Sequence, residues 1–477
     1  MKVVIANPPW PGEGYGTRSN IRWPHRRGDK VLTFPIYLAY AVVVLKKVGF
    51  KVWGIDAVDK EYSISSFVKE IAKINPEVIL MEVSTPSINY DLEAAKKLRE
   101  NTKSLIVFCG PHASYFHKDL IEKYPSVDVC IRGEFEHAIR DICIAVNKKK
   151  DLTGIAGITY RKGDKVIVNK ERKPIENLDE LPFPDRKEFK LGRYQQAFFG
   201  GKKTALVISS RGCPFMCTYC LWPNTLFGHK FRARSPKNVV DEIEALMKEG
   251  VDEVYFDDDT FTIDKKRVKE ICIEFLNRKI KIPWLCMSRV DTIDQETLRL
   301  IKKAGCKEVF FGIESGSEEI LKEMCKGITK KRIIETVRMA QKEGIITGGS
   351  FVVGMPNESK KTITETIRFA KRLHLDYVQF ALAAPFPGTK FYETAKESGL
   401  LKIKSWEDFD GTKGAIVNTE YLTKKELSGI IRKMYIKYYT SPSVIWQNVK
   451  KARSVRDISR IIRGSRSVLS RIFYYKK

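Results

Sequence analysis

The stretch Ala205-Leu206-Val207-Ile208-Ser209-Ser210-Arg211-Gly212-Cys213-Pro214-Phe215-Met216-Cys217-Thr218-Tyr219-Cys220 is an apolar run that breaks into a loop with thiols spaced by four and three residues. The run reads as a buried strand, and Gly212 and Pro214 stop regular structure just beyond it. Further strand candidates recur at 253–257, 284–288, 308–313, 348–353 and 377–382. Helical periodicity lies between them, as at 238–248, 297–303 and 331–342. Six strand–helix repeats predict a partial parallel barrel, short of the eight of the closed form. Active sites of such barrels form at the mouth where the strands' carboxyl ends open, so the residues just after each strand carry the function. The thiol loop is the first of these.

Three thiols on one short loop can converge on one metal centre. Structural zinc takes four closed ligands, and His229 is the only local substitute for a fourth thiol. A four-iron cluster held by three thiolates instead leaves one iron open to an exogenous ligand. An open iron at a barrel mouth is a reactive arrangement. Three packing cysteines, or a zinc knuckle, form the plainer alternative. The other cysteines (109, 130, 143, 272, 286, 306 and 325) mostly sit singly in apolar stretches, where Cys acts as a small hydrophobe.

Cys213-xxx-Cys217-xx-Cys220, with aromatic Tyr219 before the third thiol, resembles the signature of the radical S-adenosylmethionine enzymes. The resemblance implies a 4Fe-4S cluster on Cys213, Cys217 and Cys220 whose open iron chelates S-adenosylmethionine. Reductive cleavage then gives methionine and a 5′-deoxyadenosyl radical, which abstracts hydrogen from an unactivated carbon. An external electron donor such as flavodoxin or ferredoxin is implied as well. The protein's task is to place that radical and exclude water and oxygen. Contacts to S-adenosylmethionine are expected from Tyr219 and from the other strand ends. Asp257 and Asp258, in the acidic triplet 257–259, fall where the family contacts the amino end of the cofactor. Ser288-Arg289 ends the third strand, and the planar fork of arginine suits a carboxylate. Glu314 ends the fourth and can accept from ribose hydroxyls. Gly354 ends the fifth and lets a cofactor lie against backbone. A helix cap or surface turn explains each alone; their recurrence favours the cofactor. No catalytic acid or base is assigned.

Residues 1–150 alternate strand-like runs at 3–5, 51–55, 78–83, 105–109 and 127–131 with helical stretches such as 35–48. This predicts a doubly wound, Rossmann-like parallel sheet, whose ligands bind beyond the carboxyl ends of the strands. No Gly-x-Gly-x-x-Gly follows the first strand and no phosphate-cradling Gly-x-x-x-x-Gly-Lys-Ser/Thr occurs, which disfavours nicotinamide dinucleotides and ATP. The ordered pieces Asn7-Pro8-Pro9-Trp10, 34–40, Cys109-Gly110-Pro111-His112-Ala113, Arg132-Gly133-Glu134, Leu181-Pro182-Phe183-Pro184 and Phe386-Pro387-Gly388-Thr389 are similar to the radical subgroup with a cobalamin-binding domain before the barrel. That resemblance covers residues 1 to about 400. It implies cobalamin as a third cofactor, with Pro8, Trp10, Ser84, Thr85, Gly110, Pro111, His112, Gly133 and Glu134 as candidate contacts. The Asp-x-His-x-x-Gly motif that supplies a cobalt ligand in many cobalamin proteins is absent, and none of the six histidines fits it. A Rossmann scaffold that has lost its ligand is the plainer alternative.

The expected organisation is a cobalamin-binding domain at 1–150, a hairpin and proline-rich linker at 151–200, the barrel at 201–395 and a helical basic region at 396–477. With 85 Lys and Arg against 58 Asp and Glu, the 477-residue chain carries a net charge of +27. No apolar run of bilayer-spanning length occurs. The first residues enter a strand without a secretory h-region, so a cytoplasmic location is expected. Residues 441–477 hold ten Lys or Arg against Asp457 alone, with apolar residues near helical spacing from Val449 to Phe473. Such a tail fits an interfacial helix on the anionic inner membrane face, or a helix packed on the barrel with its charges solvated. No recognisable RNA module accompanies the charge, which disfavours nucleic acid. The extra three-cysteine domain of methylthiolating relatives is missing. These features point to a cobalamin-dependent radical S-adenosylmethionine methyltransferase acting on an unactivated carbon of a small-molecule, lipid or isoprenoid-like substrate. Ring-forming or oxidative chemistry uses the same cofactors, and a non-catalytic iron–sulfur sensor or scaffold is the alternative from another class.

Overall fold

The computed structural model describes residues 1–18, 22–27, 31–194 and 203–451. The first sheet contains β1 (Lys2–Asn7), β2 (Lys51–Asp56), β3 (Val78–Glu82), β4 (Leu105–Cys109), β5 (Val129–Ile131), β6 (Ile158–Lys162) and β7 (Lys165–Val168). Its order is β2-β1-β3-β4-β5-β6-β7, and β1 to β5 pair in parallel, with Val3 beside both Val52 and Val78. Strands covered on both faces by helices read as continuous apolar runs, and all of Val78-Ile79-Leu80-Met81 is buried. Side chains alternate across the strand, so Val3 and Ile5 enter one core while Val4 and Ala6 enter the other.

The hairpin expected at 157–169 forms, but as an edge of this sheet. Its strand β6 pairs antiparallel with β5, Val129 opposite Tyr160. The short β5 would otherwise present a row of unpaired N–H and C=O groups.

The second sheet contains β8 (Thr204–Val207), β9 (Glu253–Phe256), β10 (Trp284–Ser288), β11 (Cys306–Glu314), β12 (Ile346–Val353) and β13 (Tyr377–Leu382). All six run parallel in chain order, the partial barrel expected from the sequence. The intervening helices Pro236–Lys248, Lys265–Asn277, Gln295–Lys303, Lys330–Lys342 and Lys360–Leu373 open on Ser235, Asp264, Asp294, Thr329 and Ser359. Each of these side chains accepts from the backbone N–H three residues on, satisfying a donor the helix leaves free. Helix Lys424–Tyr439 then packs along β13, where the Tyr435 hydroxyl bonds both the N–H (3.0 Å) and the carbonyl (3.1 Å) of Phe380. Helix Pro442–Lys451 follows. The basic, apolar-patterned tail beyond it, on which the membrane expectation rests, lies outside the described residues. Among the described residues no helix is long and apolar enough to cross a membrane.

The two sheets meet through buried charge and aromatic rings. Arg211, directly before the thiol loop, lies 2.6 Å from Glu136 and 3.6 Å from Glu134, and Arg232 lies 2.7 Å from Glu134. The Arg211 guanidinium stands over the rings of Tyr37, Tyr40 and Phe227 at 5.3–5.5 Å.

Gly110, at the end of β4, takes φ +103°, and a Cβ there would stand 2.5 Å from the Val83 carbonyl oxygen. Gly110→Ala combines left-handed strain with a backbone clash and is expected to cost about 2 kcal/mol or more. Thermal unfolding of the variant measures this, and an unchanged midpoint refutes the conformation.

Candidate functional site

The thiol loop is positioned from both ends. Gly212 has φ +81°, and a Cβ there would come within 2.3 Å of the Lys230 carbonyl oxygen, so only glycine fits. Before it, the backbone N–H groups of Ser209 and Ser210 and the Ser209 hydroxyl all donate to Asp258, at 2.6, 2.8 and 2.6 Å. Asp259 accepts from the Gly212 N–H at 3.1 Å. On the far side, Thr218 N–H donates to the Met324 carbonyl, and the His229 ring contacts the Cys213 carbonyl at 3.1 Å.

Cys213, Cys217 and Cys220 all line one cavity of about 230 Å³ at the carboxyl ends of the barrel strands, together with Tyr219, Asp259, Ser288, Arg289, Glu314 and Lys326. None of the three is in a disulfide. Burial pushes the Cys213 and Cys220 thiols up from the ordinary range. Among the described residues no three His, Cys, Asp or Glu side chains are grouped to hold a single metal ion. Thiols that each bind a different iron of one cluster need no such convergence. Three thiols on one loop with no fourth cysteine beside them suit a cluster with one open iron better than a closed four-ligand zinc site.

Around the thiols the charged groups interlock. Arg289 lies 3.5 Å over the Phe215 ring, holds Asp291 through Nε (2.9 Å) and Nη2 (2.8 Å), and donates to the Lys326 carbonyl (2.6 Å). Its Nη1 stands 3.8 Å from the Cys217 sulfur. Ser288 exchanges a 2.6 Å hydrogen bond with Thr262 and donates to the Arg289 carbonyl. Glu314 adopts φ +69°, an unusual conformation for a residue with a side chain. It accepts from Lys326 Nζ at 2.9 Å and from the Ser350 hydroxyl at 3.1 Å. The Tyr219 hydroxyl also bonds Glu314, and its pKa is pushed up by burial and by that carboxylate.

The acidic triplet divides three ways. Asp258 belongs to the loop's support, and Asp259 faces the thiols. Asp257 is held 3.0 Å from Arg22, which arrives from the loop after β1 and stacks 4.7 Å over Trp222. Burial pushes both Asp257 and Asp259 up to about 6. Sequence reasoning missed Asp259, Arg22 and Lys326. Asp259 had the same strand-end signal as its neighbours, whereas Arg22 and Lys326 sit in segments without a motif.

Gly354 has φ +106° but does not line the cavity; it lies beside Leu427, and its N–H points to Glu358 at 3.4 Å. Glu358 is fully buried and accepts from the Thr362 hydroxyl at 2.6 Å. Burial pushes its carboxyl up to about 7. The folded protein therefore holds a proton that the unfolded chain releases, so this group's contribution is complete at low pH and is lost as pH rises through about 7. Between about pH 5 and 8 the parent is expected to lose about 2.5 kcal/mol relative to Glu358→Gln. Urea unfolding across that range checks it, and parallel curves refute it.

The expected cobalamin contacts do not gather around the main cavity. Trp10 is buried beneath the guanidinium groups of Arg18 and Arg26, 5.5 and 5.3 Å from its ring, and Pro8 is buried beside it in the chain. The Ser84 hydroxyl contacts Ser87 at 2.8 Å, Ser87 donates to Asp91, and Asp91 pairs with Arg18 at 2.7 Å. Thr85 contacts His112 Nδ1 at 3.2 Å; that ring packs against Phe116 and Trp406, and burial pushes it down to about 3, so it is neutral. Pro111 opens the short helix Pro111–Tyr115 behind Gly110. Gly133 and Glu134 line a second cavity of about 310 Å³ against the segment that follows the thiol loop. Glu134 is already taken by Arg232 and by the Ile175 N–H at 2.8 Å. Most of these residues already have partners within the chain, and no step is derived through them.

Comparison with known proteins agrees with this architecture. Residues 207–370 match the model of the radical SAM superfamily, and residues 30–143 match that of the B12 binding domain. An uncharacterized methyltransferase of Pyrococcus horikoshii is 33% identical over 444 residues, 92% of this chain and 94% of the relative. An anaerobic magnesium-protoporphyrin IX monomethyl ester cyclase of Cereibacter sphaeroides is 28% identical over 450 residues, 92% of this chain and 70% of that protein. The fold also matches the radical S-adenosylmethionine methyltransferase TsrM of Kitasatospora setae, solved with cobalamin and a 4Fe-4S cluster, at a TM-score of 0.71 and 15% identity over 98% of this chain and 99% of that one. With both domains matched in order and a relative similar along nearly its whole length, the chain belongs to the radical S-adenosylmethionine enzymes that carry a cobalamin-binding domain.

Proposed function

We propose that this protein is a cobalamin-dependent radical S-adenosylmethionine methyltransferase that acts on an unactivated carbon of a small, lipid or isoprenoid-like substrate, with flavodoxin or ferredoxin as electron donor. One observation carries the proposal: three cysteines free of disulfides share a cavity with Tyr219, Ser288, Arg289 and Glu314 at the barrel mouth. When bound, the cluster and S-adenosylmethionine supply the 5′-deoxyadenosyl radical, and cobalamin supplies methyl carriage. Cys213, Cys217 and Cys220 would hold the iron. Arg289, stacked on Phe215 and braced by Asp291, presents a fixed cation beside Cys217, where a cofactor carboxylate is suited. Glu314, steadied by Lys326 and Ser350, presents an acceptor for hydroxyl groups. Asp257 and Asp258 act behind these groups: Asp257 holds the Arg22 segment over the mouth, and Asp258 sets the loop. The methyltransferase relative supports methyl transfer; the cyclase relative supports a second outcome on the same cofactors.

Anaerobic reconstitution followed by reductant and methyl-labelled S-adenosylmethionine distinguishes the outcomes. Methyl transfer predicts both 5′-deoxyadenosine and S-adenosylhomocysteine. 5′-Deoxyadenosine without S-adenosylhomocysteine favours cyclisation or oxidation, and absence of both favours the sensor.

A further inference from the structure

The main cavity has two unlike halves. Around the thiols its cations are already engaged by carboxylates of the chain: Arg22 by Asp257, Arg289 by Asp291 and Lys326 by Glu314. At its rim Arg26 holds Asp410, and Arg27 also has an interaction within the chain. The opposite wall includes Val352, Leu382, Ala383, Phe386 and Phe409. The rings of Phe386 and Phe409 lie 5.7 Å apart, tilted by 40°, and pack that wall with aromatic surface. A charged ligand group placed there would lose water, and the nearest cation, Arg26, is already held by Asp410.

Of the polar side chains in this part of the lining, Ser350 and Thr412 are already bonded to Glu314 and Asp410. Gln379, on β13 beside Ser350 of β12, lines the cavity and is half-buried. Among the described residues nothing hydrogen-bonds its side-chain amide. An amide in a largely apolar cavity without a protein partner is satisfied by water or by a ligand. Its carbonyl and NH2 let it accept from a hydroxyl or ring N–H, or donate to a carbonyl.

Resting on the proposed radical chemistry at this site, we infer that the substrate presents an uncharged, mainly apolar portion with one hydrogen-bonding group, and that Gln379 is the specificity-determining residue that takes it. A carboxylate or phosphate on that portion is selected against, because its desolvation is uncompensated. The neutral hydroxyl, carbonyl or N–H is selected for, because an apolar ligand that displaces water from Gln379 without replacing its hydrogen bond loses affinity.

The test uses full-length protein, purified and reconstituted anaerobically, with three bicyclic probes of similar shape: naphthalene, 1-naphthol and 1-naphthoate. Binding is read by displacement of the neutral dye Nile red. The expected order is 1-naphthol over naphthalene over 1-naphthoate, with naphthoate at least about tenfold weaker than naphthol. Gln379→Leu should remove the advantage of naphthol over naphthalene, about fivefold, and leave naphthalene unchanged. Gln379→Glu, which keeps the size and adds charge, should weaken naphthalene while the far-ultraviolet circular dichroism stays that of the parent. Naphthoate binding as tightly as naphthol overturns the inference, as does a Leu variant that weakens all probes equally. 5′-Deoxyadenosine formation is measured on the same samples. Failure of the probe order with that product present overturns the substrate class alone. The expected order without the product supports the cavity assignment and counts against the radical reaction.

Discussion

Cys217→Ala should abolish 5′-deoxyadenosine formation, to at least about a thousandfold below the parent, while leaving the fold in place. The whole rate enhancement of the proposed chemistry comes from a cofactor that the loop must hold. Two remaining thiols leave a second iron without a protein ligand, so the cluster loses both its anchorage and the distinction of its one open iron. The side chain is small, and its hydrogen-bonding neighbour Arg289 keeps Asp291 and the Lys326 carbonyl, so stability should change by less than about 1 kcal/mol. Iron content, the low-temperature electron paramagnetic resonance of the reduced protein and product formation check the three parts of this expectation. Cys325→Ala, at an exposed thiol outside the cavity lining, is the matched control and should behave as the parent. Parent-like turnover in Cys217→Ala refutes the cluster assignment.

Arg211→Met should destabilise the protein by about 3–5 kcal/mol, the cost of removing one partner from a buried ion pair. Arg211 is 2% exposed, and it faces Glu136 and Glu134 from the other sheet beneath three aromatic rings. Methionine fills part of the volume but leaves Glu136 with an uncompensated buried charge. Adding Glu136→Gln removes that charge, so the double variant should recover part of the loss, a coupling that additive effects cannot produce. Urea unfolding of the parent, both singles and the double variant measures it. Since Arg211 is two residues from Cys213, the single variant should also retain less iron after gel filtration. A single variant within about 1 kcal/mol of the parent refutes the role assigned to this pair.

Much of the fold was legible because its signals are local. Six apolar runs at strand length, each followed by helical periodicity, specify parallel strands with covering helices, and the six barrel strands appear within a few residues of the expected positions. The thiol loop was legible for the same reason: its three cysteines lie within eight residues on one turn, whatever surrounds them. The hairpin at 157–169 was equally plain as a hairpin. Its place was not, because an edge strand's partner is set by which sheet offers an open edge, and β5 did.

The site beyond the loop was legible only in part. Strand ends identify which positions reach the mouth, so Tyr219, Ser288, Arg289 and Glu314 are found there. Three consecutive acids cannot be told apart in this way, because successive residues leaving a strand point in different directions. The chain turns Asp257 to Arg22, Asp258 to Ser209 and Asp259 to the thiol loop. Gly354 carried the right position for a cofactor contact, yet it faces helix Lys424–Tyr439, whose packing no local pattern reports.

Taken alone, the sequence determined two parallel α/β units in order and the identity of three thiols as a possible iron-binding set, since periodicity and short spacing are properties of neighbouring residues. The tertiary structure alone decided which cations flank those thiols, which carboxylates already occupy them and where the cavity turns apolar. Several of those are contacts between distant segments, such as Arg22 with Asp257, 235 residues apart, and Arg211 with Glu136, 75 apart. They arise from the packing of one sheet against the other, which no window along the chain contains.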